Sequence, residues 1–578
     1  MEWDENLLHK TLKQLRLFGD DTTLIECKRA KEGTPKNLGE TLCAFANMPE
    51  GGTILLGVDE RSGFRVTGVP DPAQLEKSVT SLCRNAVYPA PQVSFTHIKA
   101  YGKDVVAVTV HSLQPSEKPA HYRGTAYLRQ ADGDYAMNSN DFRMLQISAL
   151  HSSERENFDR RVLPGTSIAE LDSTLLDTYL RNVRRNSTRL SKIDDDARLL
   201  QILNITDSDG NLRLGGLYAL GYFPQTTEPA LGATVAVRLA RTDSLKRNQN
   251  LKDLEGPLPE LINEAMLWIQ QNTNTVTAYK PNGHMVDRPE FPPSAIREVV
   301  ANAFVHRDLG PTLDVGKRVD IRVSDKALII QNPGGLQGLS VAQLESSELT
   351  KAAVNQRLYE IAKNLHTDDG QRVIEGEGGG IREVLAAVHE ARLHPPKFID
   401  TGTQFKVIFP RGERFNEEDK EWLDSYEITL NAIQEDLLIA LREGARISFS
   451  YLCREYHYLS EKALRSAVNQ LIERDIIVET DEGLALYNFA FSPKEKREAQ
   501  PDREVTRVPN DLSKLGKNVP IVYNFLFSSD SLTLKDILFR TELTENQVRY
   551  ALGPLLEQKL VEMRGGQGNR GTQYYIPR

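Results

Sequence analysis

One stretch of the N-terminal region, residues 19–69, constrains the fold more than any other part of this 578-residue chain. Residues 23–28 alternate in polarity and are rich in β-formers, and residues 53–58 form an apolar run typical of a buried strand. Residues 38–46 have a helical pattern, and residues 47–52 form a turn. This order of strand, helix, turn and strand predicts an α/β domain in which the two strands can pair.

Three carboxylates lie at the edges of these predicted strands: Asp21, Glu26 and Asp59. If the strands pair, Glu26 and Asp59 come near each other, and Lys28 shares a face with Glu26 because strand residues two apart point the same way. Carboxylate oxygens bind Mg²⁺ or Mn²⁺, and the cation offsets charge on a phosphate under attack. Alternation on a strand also produces surface salt bridges, so spacing alone leaves both interpretations open.

The motifs IECK at 25–28, CAFAN at 43–47 and GGTILLGVD at 51–59 resemble the Schlafen AlbA-type domain over about residues 5–150. The resemblance implies metal-dependent cleavage of RNA or DNA, with Asp21, Glu26 and Asp59 as metal ligands and Lys28 stabilising the scissile phosphate. The family usually has Glu at the first position, where this chain has Asp21 or Asp20. Bacterial relatives that keep these residues include DNA-binding regulators, so cleavage and binding both stay open.

A second group of motifs lies in residues 291–411. Glu298 and Asn302 are one helical turn apart, so they project from one helix face, where they can position a water and Mg²⁺ over a triphosphate. Asn332 and Gly334 follow a strand predicted at 326–330, and a glycine run at 378–380 enters a helix. Glycines before a helix leave backbone N–H groups free to meet phosphate oxygens.

The order of these elements resembles the GHKL (Bergerat) ATP-binding fold, an α/β sandwich. The resemblance implies ATP and Mg²⁺ as cofactors, with Asn302 as a metal ligand. Residues 306–308 either add phosphate contacts or place a buried histidine at the end of the helix. The family's adenine-binding aspartate is absent and Asn332 lies nearest, which leaves adenine specificity and turnover open. The implied cofactor-binding residues are Glu298, Asn302, Asn332, Gly334, Gly378, Gly380 and Thr403.

Two patterns of the winged helix-turn-helix type follow, at 421–490 and 511–578. Residues 503–578 contain 11 Lys and Arg against 8 Asp and Glu, whereas the whole chain has a net charge of −9, so the local balance favours DNA at this end. The candidate nucleic-acid contacts are Arg549, Arg564 and Arg570. Dimerisation or protein docking is the alternative for both patterns. An arginine-rich helix at 173–185 and the residues after it form either a nucleic-acid face or an ordinary solvated face.

The predicted architecture is therefore multidomain, α/β and α+β. Four cysteines without a C-x-x-C pair predict free thiols rather than a zinc ribbon or disulfide framework. The N-terminus lacks the apolar core of a signal peptide and no run is long enough to cross a membrane, so we expect a cytoplasmic protein without a membrane partner. The predicted domains are Schlafen-like (1–151), middle α/β (166–290), GHKL-like (291–411) and two winged helices (421–490 and 511–578).

These patterns lead to one main functional hypothesis and two alternatives. The main one is an ATP-binding endonuclease that uses Mg²⁺ or Mn²⁺, cleaves RNA or DNA, forms a homo-oligomer and suits antiphage defence. The first alternative is an ATP-responsive, DNA-binding transcriptional regulator without nuclease activity. The second is a scaffold that uses ATP binding only for assembly.

Overall fold

The structure of the protein is a computed structural model. The chain forms two compact units, Met1–Ala490 and Phe491–Arg578, each built from helices and sheets, which confirms the mixed α/β prediction. Among the described helices, none combines the length and apolar character that a membrane crossing requires. The residues that the structure describes are 3–18, 24–130, 133–150, 157–239, 248–279, 285–344, 353–367, 370–374, 379–426, 428–442, 446–480, 483–487, 515–516, 518–527, 532–541, 543–564 and 572–576.

The N-terminal part of the first unit contains a four-stranded sheet with the order β1-β2-β7-β6, in which β1 and β2 are parallel and the other pairs are antiparallel. The predicted pairing of the first two strands is therefore confirmed. The elements in chain order are α1 (Glu5–Phe18), β1 (Ile25–Lys28), α2 (Leu38–Asn47), β2 (Gly52–Leu56), β3 (Val58–Asp59), β4 (Arg65–Val66), α3 (Pro72–Ala86), β5 (Val87–Tyr88), β6 (Val93–Ala100), β7 (Lys103–Val110), β8 (His121–Tyr122), β9 (Tyr127–Gln130), β10 (Gly133–Ala136) and α4 (Ser139–Ala149).

Helices cover both faces of this sheet. The amphipathic helix α1 buries Leu8 and Leu12 against the face that carries Cys27 and Leu55. Helices α2 and α3 pack on the opposite face, which carries Ile54. Because side chains alternate along a strand, Glu26 and Lys28 lie on the α2 side, opposite Cys27. The apolar run of β2 is thus explained by burial on both faces.

The next part of the first unit contains a six-stranded mixed sheet with the order β12-β11-β15-β16-β18-β17. Helix α9 packs on this sheet and lies between α8 and α13. The elements are α5 (Ser173–Asn186), α6 (Asp196–Ile202), α7 (Leu214–Leu220), β11 (Ala233–Arg238), β12 (Asn248–Leu254), α8 (Leu258–Asn272), β13 (Thr275–Tyr279), β14 (Met285–Pro289), α9 (Pro293–Val305), α10 (Pro311–Asp314), β15 (Val319–Val323), β16 (Ala327–Pro333), α11 (Val341–Leu344), α12 (Gln356–Ala362), α13 (Gly380–Glu390), β17 (Lys397–Asp400) and β18 (Gln404–Pro410).

The six-stranded sheet extends across residue 290, where the sequence suggested a boundary, because β11 pairs in parallel with β15. One hydrophobic core joins residues from 163 to 409. The sequence pattern at 217–222 indicates a strand, and this prediction is wrong because residues 214–220 form α7. Helix α7 is buried on every side, and its continuous apolar run is the pattern that a buried strand and a buried helix share.

The remaining residues form two smaller helical assemblies, each with its own core and a small sheet. In residues 417–486, α15 and α17 pack together and β19 pairs with β20. The sequence pattern at 449–455 indicates a short turn, but these residues form the helix α16. In the described part of the second unit, three helices pack beside a sheet with the order β21-β23-β22. The elements are α14 (Glu417–Asp424), α15 (Ala432–Arg442), α16 (Phe449–Glu455), α17 (Glu461–Ile472), β19 (Ile477–Thr480), β20 (Gly483–Leu486), α18 (Val519–Phe527), β21 (Leu532–Thr533), α19 (Leu534–Thr541), α20 (Glu545–Glu557), β22 (Glu562–Arg564) and β23 (Gln573–Tyr575).

Candidate nucleotide and nucleic-acid sites

Glu26 lies on β1 with its side chain directed under α2. The side chain is only 10% exposed, and it forms ion pairs with Lys28 and with Arg129, whose side chain is 1% exposed. The predicted placement of Glu26 and Lys28 on one strand face is confirmed by their ion pair. The Glu26 carboxylate is therefore neutralised by two cations from the protein itself.

Arg129 extends this network towards α2. Its Nη1 lies 3.2 Å from Asp134 Oδ1, and Thr41 Oγ1 donates a hydrogen bond of 2.6 Å to Asp134 Oδ2. The guanidinium carbon also lies 5.8 Å from the centre of the Phe45 ring. A buried charge must be paired and hydrogen-bonded to be tolerated, and these contacts connect β1, α2, β9 and β10. Glu26 thus contributes to the fold of the domain.

The other two predicted carboxylates do not join Glu26 in a described metal site. Asp59 ends β3, and Ser62 Oγ donates a hydrogen bond of 2.8 Å to its Oδ2. Asp21 lies outside the described residues. Within the described part of the chain, no group of three or more His, Cys, Asp or Glu is placed to hold a metal ion. The described donors do not by themselves fit a divalent cation, and the metal role of Asp21, Glu26 and Asp59 stays a prediction.

Glu298 and Asn302 project from one face of α9, as their spacing predicts. Asn302 Nδ2 donates a hydrogen bond of 3.0 Å to Glu298 Oε1. The Glu298 carboxylate lies against Gly380, the first residue of α13, where even a methyl group would overlap it. The start of a helix attracts anions because its N–H groups point outwards. This position fits a phosphate group, and the Asn302 amide oxygen is the atom that would ligate its Mg²⁺.

A second subset of predicted residues lies where β16 and β18 pair. Asn332 is buried and pairs with Phe405, and the Gly334 amide donates a hydrogen bond of 2.9 Å to the Thr403 carbonyl. Gly334 has a φ of 92°, and a Cβ there would lie 2.8 Å from the Asp308 Cβ, so the position requires glycine. Because α9 packs on β16, this subset neighbours the pair of Glu298 and Asn302. Gly378 lies outside the described residues.

Residues 306–308, for which phosphate contacts or a buried histidine were predicted, are half-buried at His306 and buried at Arg307 and Asp308. Arg307 is fully buried, and its Nη1 donates a hydrogen bond of 2.6 Å to the Ala230 carbonyl. Burial lowers the pKa of His306 to about 4, so the ring is neutral at physiological pH. Asp308 Oδ2 accepts a hydrogen bond of 2.8 Å from the Thr312 amide. Their polar groups hold the chain after α9 in place.

The sequence did not predict a contact between the turn after α2 and the part of the chain that contains the six-stranded sheet, which we call the nucleotide-type domain. We call residues 48–50 the docking turn and residues 400–404, between β17 and β18, the hairpin turn. Glu50 Oε1 accepts a hydrogen bond of 2.6 Å from the Val341 amide. A Cβ at Gly402 would lie 3.5 Å from Pro49 Cγ, an ordinary packing distance. The docking turn therefore lies against the hairpin turn, which carries Thr403.

Two ionisable groups lie at this contact: Asp400 is buried and Lys118 is half-buried. Asp400 accepts hydrogen bonds from the Gly402 amide at 2.8 Å and the Leu336 amide at 3.1 Å. Burial raises the pKa of Asp400 to about 6, and the charge of Lys118 opposes that shift. Burial lowers the pKa of Lys118 to about 8, and its Nζ donates a hydrogen bond of 2.8 Å to the Met48 carbonyl. Sequence reasoning missed both residues because each occupies a connecting segment without a motif.

The predicted nucleic-acid residues of the second unit lie on α20 and β22. Arg549 donates hydrogen bonds of 3.0 Å and 2.8 Å to Glu545 Oε1, a surface pair that a phosphate can replace at little cost. The Arg564 guanidinium carbon lies 5.8 Å from the centre of the Tyr575 ring. Arg570 lies outside the described residues. The role of these arginines in nucleic-acid binding stays a prediction.

Two segments of the chain match protein-family models. Residues 21–138 match the family described as "Schlafen, AlbA_2". Residues 316–409 match the family described as "Putative ATP-dependent DNA helicase recG C-terminal", a segment that contains Asn332, Gly334 and Thr403 but not Glu298 or Asn302. The two matches support an N-terminal Schlafen-type domain and a RecG C-terminal type of domain in one chain. Neither match covers half of the sequence.

Solved structures and curated proteins add little to these matches. The crystal structure of the DIP2311 protein from Corynebacterium diphtheriae is 18% identical and covers 99% of this chain and 99% of that chain, with a TM-score of 0.36. The solution structure of the N-terminal domain of a "Putative ATP-dependent DNA Helicase RecG-related Protein" from Nitrosomonas europaea is 29% identical, covers 23% of this chain and 90% of that chain, and has a TM-score of 0.19. No curated protein matches the chain.

Proposed function

We propose that this protein is an ATP-responsive nucleic-acid-binding regulator in which the nucleotide-type domain controls the Schlafen-type domain. The observation that carries the proposal is the contact between the docking turn and the hairpin turn. Thr403 belongs to the hairpin turn, and its carbonyl accepts the hydrogen bond from Gly334 in the predicted nucleotide site. A nucleotide that moves the hairpin turn would therefore act directly on the Schlafen-type domain.

The surroundings of Glu26 favour binding over cleavage. A divalent cation at Glu26 would have to replace Arg129 and Lys28, which already neutralise it. Arg129 would keep Asp134 but lose one of its two buried carboxylate partners, a cost that metal binding would have to offset. The helical assemblies at 417–486 and 515–576 would supply further nucleic-acid contacts as winged helices, with Arg549 and Arg564 on the second.

The nucleotide part of the proposal rests on Glu298, Asn302 and Gly380. Glu298 and Asn302 would hold Mg²⁺ and orient a water, while the start of α13 would bind a phosphate group. ATP would supply the phosphate oxygens for the start of α13, next to the Glu298 carboxylate that lies against Gly380. Asn332 and Thr403, both buried, would border the base.

The test measures the affinity of the full chain for labelled single-stranded DNA, duplex DNA and RNA by fluorescence anisotropy, with and without ATP and Mg²⁺. We expect ATP to change the affinity for at least one of these by fivefold or more. Asn302→Ala should abolish this change without altering affinity in the absence of ATP. The matched control is Asn85→Ala, an exposed position on α3 that should leave the ATP effect intact.

Unchanged affinity with ATP, despite ATP binding measured by calorimetry, would overturn the proposal. The same samples with Mn²⁺ are run on denaturing gels to test the endonuclease prediction. If a substrate is cut and the Glu26→Gln/Asp59→Asn variant does not cut it, the protein is a nuclease and the regulator proposal is wrong. If nothing is cut while nucleic acid remains bound, Asp21, Glu26, Lys28 and Asp59 have no catalytic role.

A further inference from the structure

A cleft of about 670 Å³ opens between α5 and α12, and none of the nucleotide-site or carboxylate residues assigned above lines it. Clefts of about 300–1,000 Å³ are the usual size of ligand sites in proteins. The two walls are tied together, since Asn186 Nδ2 donates a hydrogen bond of 3.0 Å to Asn364 Oδ1 and Asn182 Nδ2 donates one of 3.1 Å to the Asn364 carbonyl. The width of the cleft is thereby fixed.

Positive charge predominates along the cleft. Arg357, Lys363 and Arg372 line it, and Glu360 is the acidic residue beside them. Glu360 is engaged by Lys363, whose Nζ donates hydrogen bonds of 3.0 Å and 2.9 Å to its two oxygens. Arg357 and Arg372 are exposed, and within the described residues neither guanidinium has a hydrogen bond or ion pair. Two cations are thus available to an anionic ligand.

The same cleft has apolar walls. Leu190, Ile202 and Leu203 line it, and Ile202 is 47% exposed, although aliphatic side chains of this size are usually buried. Arg185 and Arg189, from the arginine-rich segment noted in the sequence, are exposed in the turn of chain that includes Asn186 and Leu190. The positive surface therefore continues beyond the cleft along one edge.

We propose that this cleft binds a single-stranded segment of nucleic acid. Phosphates would pair with Arg357 and Arg372, and unstacked bases would lie against Leu190 and Ile202. Single-stranded nucleic acid offers both an anionic backbone and exposed apolar base faces, which is the combination that the cleft presents. A duplex hides its base faces in the stack and would meet the charges alone. The inference goes beyond the proposed function because this site needs neither the Schlafen-type domain nor ATP.

The test compares two double variants of the full chain by fluorescence anisotropy over a salt series. Arg357→Gln/Arg372→Gln should weaken binding to single-stranded DNA or RNA at least tenfold. It should also reduce the slope of log affinity against log salt by about 1.4, because each phosphate contact on a single strand contributes about 0.7. Arg238→Gln/Arg288→Gln is the control, since both residues are exposed and lie in the same unit but do not line the cleft.

A second variant separates the apolar contribution from the charge. Ile202→Ser should weaken single-strand binding at least threefold with an unchanged salt slope. The proposal would be overturned if the two double arginine variants lost the same affinity for single strands. It would also be overturned if Arg357→Gln/Arg372→Gln weakened duplex binding as much as single-strand binding. Adenosine monophosphate that displaces the oligonucleotide at a concentration equal to the half-saturating concentration of the oligonucleotide would also overturn the proposal. The cleft would then be a site for mononucleotides. ATP binding is measured for each variant, and retained binding shows that its nucleotide-type domain is folded. A failure of the cleft proposal can then be distinguished from a failure of the regulator proposal.

Discussion

Replacing Arg129 by methionine provides the sharpest test of whether Glu26 is a structural carboxylate. The substitution keeps the apolar contact with Phe45 but removes one cation from Glu26, which keeps Lys28, and the cation from Asp134, which keeps its hydrogen bond from Thr41. Removing one partner of a buried ion pair costs about 3–5 kcal/mol. Since about 1.4 kcal/mol corresponds to a factor of ten, local opening of β9 should become about two to four orders of magnitude more frequent.

Hydrogen exchange at the Leu128 amide measures this opening without assuming two-state unfolding of a chain with several cores. Leu128 is fully buried and pairs with Tyr135 in the β9–β10 hairpin. Glu26→Gln should increase its exchange only about tenfold, because Arg129 keeps Asp134, and the double variant should exchange more slowly than Arg129→Met alone. Exchange in Arg129→Met within tenfold of the wild type would refute the reasoning. The reasoning would also be refuted if Mn²⁺ slowed exchange of the Leu128 amide in the wild type but not in Glu26→Gln.

Three further changes test the other contacts. Gly380→Ala should weaken ATP binding at least tenfold in calorimetry, because the new methyl overlaps the Glu298 carboxylate, whereas Gly553→Ala on α20 has open space and should not. The folded-state pKa of Asp400 is about 6, above its ordinary value of 3.8, so between these pH values the folded state binds more protons than the unfolded state. The free energy of unfolding should therefore fall by up to about 3 kcal/mol as the pH rises from 4 to 6. Asp400→Asn should reduce the fall of the thermal unfolding midpoint between pH 4 and 6, whereas the exposed control Asp325→Asn should not change it. The same dependence of the midpoint on pH in both variants would contradict burial of Asp400 as the cause. Glu50→Ala removes the acceptor of the Val341 amide and should reduce the ATP-induced change in nucleic-acid affinity at least threefold. The exposed control Glu32→Ala should keep the full ATP-induced change, and an equal change in the two variants would count against a role for the docking turn.

Local patterns in the sequence predict much of the fold. The alternation at 23–28, the apolar run at 53–58 and the helical pattern at 38–46 all predict elements within a few residues of those observed. The cap at Asn138, whose side chain accepts hydrogen bonds from the Asn140 and Asp141 amides, is likewise local information. Such features depend on neighbours in the chain, which the sequence states directly.

The features that sequence reasoning missed depend on distant neighbours. Arg129 becomes a partner of Glu26, and Asp134 a partner of Arg129, only because β9 and β10 pack beside α2, about a hundred residues after Glu26 in the chain. Helix α7 was mistaken for a strand because burial on every side removes the periodicity that distinguishes the two. The pKa shifts of Asp400 and Lys118 come from burial at a contact between two domains, and burial leaves no mark on the sequence of either segment.

The position of the docking turn also limits how this protein can be rearranged. The turn follows the CAFAN motif, so residues that identify the Schlafen-type domain are adjacent to residues that touch the hairpin turn. Exchanging residues 21–138 for those of a protein without a RecG-type partner would remove the acceptor for Val341 and the apolar surface beside Gly402. A chimera of this kind would need the hairpin turn transplanted with it. The two segments are therefore expected to be inherited and engineered as one module.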